Sequence, residues 1–144
     1  MSIAAVQEVA SDGTTATEAL VVCVILAVVM AGAAAAMFWL CRRVAAGALP
    51  RQDLAGIRTR WAMASDEAWH AAQRAGLPAF RAMAWISAVA ALVCAGAGSA
   101  VILGRVSPDA GLVWSALASA GACLLMLALV PVCLRAARRA RDSV

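Results

Sequence analysis

Three long apolar runs, each free of charged residues and each closed by an arginine, dominate the chain. They extend from Ala19 to Cys41, from Ala82 to Gly104 and from Ala110 to Leu134, and are followed by Arg42, Arg105 and Arg135. With about 23–25 residues apiece and about 1.5 Å of rise per residue, each run makes a helix of roughly 35 Å. The hydrocarbon core of a bilayer is about 30 Å thick, so each can cross with modest tilt. The pattern predicts an all-α fold, an integral membrane three-helix bundle with spans near 19–41, 82–104 and 110–134.

Polar residues return in the long connection 42–81. Ser65 is a good helix N-cap, and Asp66 and Glu67 then fall in the first turn, where the helix dipole favours negative charge. Gly76 followed by Pro78 reads as a stop. This predicts a separate short helix, Asp66 to Gly76. At 100° per residue it gathers Asp66, Glu67, His70, Gln73 and Arg74 on a polar arc opposite Ala68, Ala71, Ala72 and Ala75. So short a helix is marginal alone in water. It is therefore expected to lie at the cytoplasmic membrane interface, with Trp61 and Trp69 as anchors and their indole N–H groups in the wet layer. The remaining organisation is an external N-terminal arm over 1–18, a single membrane domain over 19–135 and a basic cytoplasmic tail over 136–144.

Composition agrees with this class. The chain has 144 residues, 65% of them hydrophobic, and a mean hydropathy of +0.87, well above the 45–50% apolar content of ordinary soluble domains. Three spans leave no room for a separate soluble core. All 12 basic residues are arginine, and the net charge is +4. This excess sits beside the apolar runs, where it serves topology and anionic headgroups, so nucleic acid is not an expected partner. Residues before the first run carry Glu8, Asp12 and Glu18 and no base. The long connection carries Arg42, Arg43, Arg51, Arg58, Arg60, Arg74 and Arg81, and the tail carries Arg135, Arg138, Arg139 and Arg141. The positive-inside rule then places the N-terminus outside and the long connection and C-terminus in the cytoplasm. The first run lacks a positive n-region and is longer than a cleaved signal's apolar core, so it reads as a true span.

The five cysteines, Cys23, Cys41, Cys94, Cys123 and Cys133, all lie in spans and form no Cys-x-x-Cys pair, so they read as small packing residues. Ala91, Ala95 and Ser99 in the second span, and Ser115, Ser119 and Cys123 in the third, recur at four-residue spacing. Such faces let helices approach closely. Pro131 is a candidate kink. The spans contain no Asp, Glu, Lys, Arg or His, which argues against a proton-coupled pump or ion transporter.

Gly56-Ile57-Arg58-Thr59, then Ser65-Asp66-Glu67-Ala68-Trp69, then Gln73-Arg74, resembles the signature loop of SdpI-family membrane proteins. The resemblance covers about residues 19–135, since that family's domain has one span, a cytoplasmic motif loop and two more spans. Family members often have His where Gln73 stands and Thr near Ala62 or Met63. An Asn common before the Gly-Ile-Arg-Thr element is absent here, where Arg51 and Gln52 stand. The family takes its name from a bacterial immunity protein that protects cells against a secreted toxin. That protein has additional upstream spans, and none is expected ahead of Ala19 here. The resemblance implies a bacterial plasma membrane protein that binds a peptide, toxin or regulatory partner.

The candidate site residues are Gly56, Arg58, Thr59, Ser65, Asp66, Glu67, Trp69, His70 and Arg74. Arg58 has the forked donors that suit a carboxylate or phosphate; the competing reading pairs it with Asp66 or Glu67 to pin the loop. Trp69 either stacks on a ligand or anchors the loop, and His70 lacks companion ligands for a metal. Asp66 and Glu67 are adjacent and diverge by about 100° on a helix, so they make no acid–base pair. No nucleophile with a base and no Gly-rich phosphate loop is present, so no catalytic residues, metal or cofactor are expected and the protein reads as non-enzymatic. Expected partners are membrane lipids, a peptide or protein, and further copies of the chain. The alternative function is a small structural or accessory subunit of a larger membrane complex or homo-oligomer.

Overall fold

The structure is a computed structural model that describes residues 15–51 and 56–141. Of the external arm expected over 1–18, residues 1–14 lie outside the described residues, as do 52–55 of the long connection and 142–144 of the tail, while residues 16–18 already belong to the first helix.

Among the described residues the architecture is three helices: α1 (Ala16–Ala45), α2 (Asp66–Ile102) and α3 (Pro108–Arg141). All three are long and apolar enough to cross a membrane, and they run antiparallel in sequence order. The chain is a multi-pass membrane protein. α2 is the central helix, packed along both of its neighbours, while α1 and α3 touch each other far less.

Each helix starts and stops for local reasons. Thr15 and Glu18 form a capping box at α1: Thr15 Oγ1 accepts from the Glu18 N–H, and Glu18 Oε2 accepts from the Thr15 N–H at 3.0 Å. α1 ends in a Schellman turn, with Gly47 at φ +63°, its N–H on the Val44 carbonyl and the Ala48 N–H on that of Arg43. α2 ends in the same way at Gly104, through bonds to the Val101 and Ala100 carbonyls. Pro108 stands first in α3, where its missing N–H costs nothing, and the Ser107 hydroxyl accepts from Ala110 N–H.

The expected stop at Gly76 and Pro78 does not occur, and the separate short interfacial helix is not seen. α2 runs unbroken for 37 residues, with Pro78 inside it. Packing supplies the reason. Trp69, Ala72, Gln73 and Gly76 before the proline, and Ala79, Phe80, Ala84 and Ser87 after it, form one buried stripe at helical spacing. A break at Pro78 would split that stripe. Pro78 itself is exposed, as is Arg74, so the carbonyl that loses its helical donor remains open to solvent. α3 likewise continues through Pro131.

Burial is uneven along the bundle. Valines and leucines such as Val28, Leu92, Leu117 and Leu124 point outward, as a lipid-facing surface requires. At the end opposite the arginine-rich loop, small and polar groups knit the helices together. Cys23 Sγ lies 3.2 Å from Ser115 Oγ, Cys94 Sγ donates to the Ser115 carbonyl, and a Cβ on Gly98 would lie 3.2 Å from that of Cys23. The largest core lies at the arginine-rich end. It joins Leu40, Cys41 and Val44 of α1, Trp69, Phe80 and their neighbours in α2, and Cys133 and Ala137 of α3. Leu49, Ile57 and Ala62 of the connecting loop complete it.

Candidate functional site

The loop between α1 and α2 folds back over the arginine-rich end of the bundle, and the motif residues hold it there. Burying Leu49 and Ile57 supplies part of the driving force, about 1.5–3 kcal/mol for each large aliphatic side chain. The loop's backbone polar groups must also be satisfied, since an unpaired buried amide or carbonyl costs about 1–3 kcal/mol.

Gln73 meets that need at Ile57. Its Oε1 accepts from the Ile57 N–H at 3.0 Å, and its Nε2 donates to the Ile57 carbonyl at 3.1 Å. The side chain thereby replaces a neighbouring strand, satisfying both backbone groups of one residue. Gln73 is 1% exposed, so it belongs to the interior rather than to the polar arc predicted for it. Gly56 makes the approach possible. A Cβ there would fall 2.5 Å from Gln73 Oε1, and its φ of +99° is a conformation that suits glycine. Gly76 plays the matching part on α2, where a Cβ would fall 2.5 Å from Ile57 Cδ1.

Trp69 is fully buried, and its Nε1 donates to the Leu49 carbonyl at 3.0 Å. This corrects the expectation of a wet interfacial anchor: the indole is the centre of the core, and its N–H is satisfied by the loop. Trp61, the other expected anchor, is half-buried against the same core. Thr59 Oγ1 accepts from the Ala62 N–H, and the Thr59 carbonyl from the Met63 N–H, which makes a single turn. Ser65 caps α2 as the sequence predicts, its Oγ accepting from Ala68 N–H at 3.1 Å. Arg51 ties the loop's rim to α2, donating to the Met63 carbonyl and standing 3.4 Å from Asp66. Both partners of that ion pair are substantially exposed, so it adds roughly 0–1 kcal/mol.

The motif therefore has two sides. Gly56, Thr59, Ser65 and Trp69 serve the fold, together with Leu49, Ile57, Gln73 and Gly76, whose roles sequence reasoning missed. Their signal was present as the Trp69, Ala72, Gln73, Gly76, Phe80 series, an apolar-stripe spacing in which a glutamine stands at a core position. Arg58, Asp66, Glu67 and Arg74 are exposed, and His70 is half-buried. Among the described residues no three His, Cys, Asp or Glu side chains converge on one point.

The sequence of this region also matches a family of known proteins. Residues 48–135, more than half of the chain, match the model of the SdpI/YfhL protein family. The match takes in the loop, α2 and α3 and leaves α1 outside, a narrower extent than residues 19–135. No curated protein and no solved structure matches the chain. The motif order and the family match agree: this chain belongs to the SdpI/YfhL protein family.

Proposed function

We propose that this protein is a non-enzymatic partner-binding module of the bacterial plasma membrane, with its N-terminus outside and its motif loop and C-terminus in the cytoplasm. The observation that carries this reading is the division of the motif. Its inward side clamps the loop to the bundle through Gln73–Ile57 and Trp69–Leu49, and its outward side presents exposed Arg58, Glu67 and Arg74 on a fixed frame. A rigid charged surface loses little entropy on binding a peptide or protein. The family resemblance supplies the partner class: a peptide, a toxin or a regulatory protein, with toxin immunity as one form of that role.

The second reading, a small structural or accessory subunit, draws on a different surface. Ala27, Ala31, Ala88, Ala91 and Ala95 line an open groove of about 520 Å³ between α1 and α2. Small residues of this kind admit a further helix within the membrane. Ser115, expected on such a face, is instead consumed inside the bundle.

Mild-detergent purification of the tagged full-length chain separates the two, with mass spectrometry of the copurifying proteins. Binding through the motif predicts a partner that is held by wild type and lost from Glu67→Ala/Arg74→Ala at an unchanged thermal midpoint. A partner retained by that variant and lost from Ala91→Leu/Ala95→Leu would overturn this reading in favour of the subunit.

A further inference from the structure

We propose that the groove between α1 and α2 at the arginine-rich boundary is a binding site for one anionic phospholipid. Phe38, Cys41, Arg42, Ala45, Arg81 and Trp85 line a cavity of about 250 Å³ there. Antiparallel packing puts the two helices in register. Phe38 meets Trp85 edge to face, with ring centroids 5.4 Å apart. Arg42 and Arg81 each stand four residues from their own helix's aromatic, one turn further out toward the headgroups. The result is a groove lined by two arginines and two aromatics, one of each from each helix.

Electrostatics says what belongs between them. Two like charges in one groove repel unless an anion separates them. Among the described residues neither the Arg42 nor the Arg81 guanidinium has a hydrogen bond or an ion pair. Arg43, beside them, is taken up by the Trp39 ring at 5.2 Å. On α2 the nearest carboxylate toward the N-terminus, Glu67, lies about 21 Å away along the helix axis. A phosphodiester fits this pair because its oxygens accept bidentate contacts from guanidinium. The aromatic pair identifies the carrier as a lipid. Trp85 is 63% exposed and lies one turn from Arg81 toward the middle of the apolar run, where an acyl chain attached to that headgroup would run. The site is separate from the outward motif face and stands whether or not that face binds a protein.

The test is native mass spectrometry of the full chain in detergent with added phosphatidylglycerol. Wild type is expected to retain one phosphatidylglycerol per chain, and Arg42→Gln/Arg81→Gln to bind it about tenfold or more weakly. Arg42→Gln alone should fall between the two. Arg138→Gln/Arg139→Gln removes the same charge from the tail and should retain the lipid. Equal weakening by the tail variant, undiminished binding by the groove variants, or equal retention of phosphatidylcholine by wild type would each overturn the site. Displacement of the lipid by millimolar inorganic phosphate would overturn the lipid as its occupant.

Discussion

The side-chain amide of Gln73 holds both backbone groups of Ile57, accepting from its N–H at 3.0 Å and donating to its carbonyl at 3.1 Å. All four groups are inside the protein, and the pair joins the loop to the helix that carries the rest of the motif. Replacing Gln73 with Leu keeps the volume but strands the Ile57 N–H and carbonyl. The expected loss is roughly 2–4 kcal/mol, from two unsatisfied groups. It would be read as a lower thermal midpoint in detergent and faster proteolysis between α1 and α2. An unchanged midpoint would mean that the loop is held by apolar burial alone.

Gly56 and Gly47 both have positive φ, but their surroundings differ. A methyl group added at Gly47 would have nothing within 4 Å, whereas one added at Gly56 would fall on Gln73. Gly47→Ala should therefore cost only the backbone term, about 1–2 kcal/mol. Gly56→Ala should cost more, because it adds displacement of the Gln73 amide to about 1–3 kcal/mol of strain. Chemical denaturation of the two variants side by side checks the order, and equal losses would remove the close-approach argument.

Trp69 and Trp85 are opposites in burial, at 0% and 63% exposed. Trp69→Phe removes the only donor that Trp69 offers to the Leu49 carbonyl, and should cost about 1–3 kcal/mol. Trp85→Phe should shift stability by less than about 0.5 kcal/mol, as an exposed substitution does. A variant with the other four tryptophans replaced by Phe leaves Trp69 as the sole indole, and its emission should resist acrylamide. Strong quenching of Trp69 in that single-tryptophan background would contradict the buried core.

Pro78 lies within a continuous helix rather than at its end. An interior proline costs about 3 kcal/mol relative to alanine in a helix, so Pro78→Ala should stabilise the protein by roughly 1–3 kcal/mol. The gain would come from a restored bond to the Arg74 carbonyl. No change in the unfolding midpoint would indicate that the helix is interrupted there after all.

The sequence by itself determined the membrane class and the three helices long and apolar enough to cross. Both follow from local quantities: charge-free run length against bilayer thickness, and arginine placed where each run ends. The Ser65 cap was legible for the same reason, since it acts on a group three residues away. The motif was legible as residues in order, and the family match over 48–135 agrees with it. What that motif does was decided by tertiary structure. Gln73 and Trp69 sit next to polar positions on a helical wheel, and only the partners brought by the returning loop, Ile57 and Leu49, draw them inside. Pro78 gave a stop signal on local grounds, but one buried stripe on both sides of it, from Trp69 to Ser87, outweighed the missing hydrogen bond. Arg42 and Arg81, far apart in the chain, became a pair only through the antiparallel register of α1 and α2, a contact that no local pattern encodes.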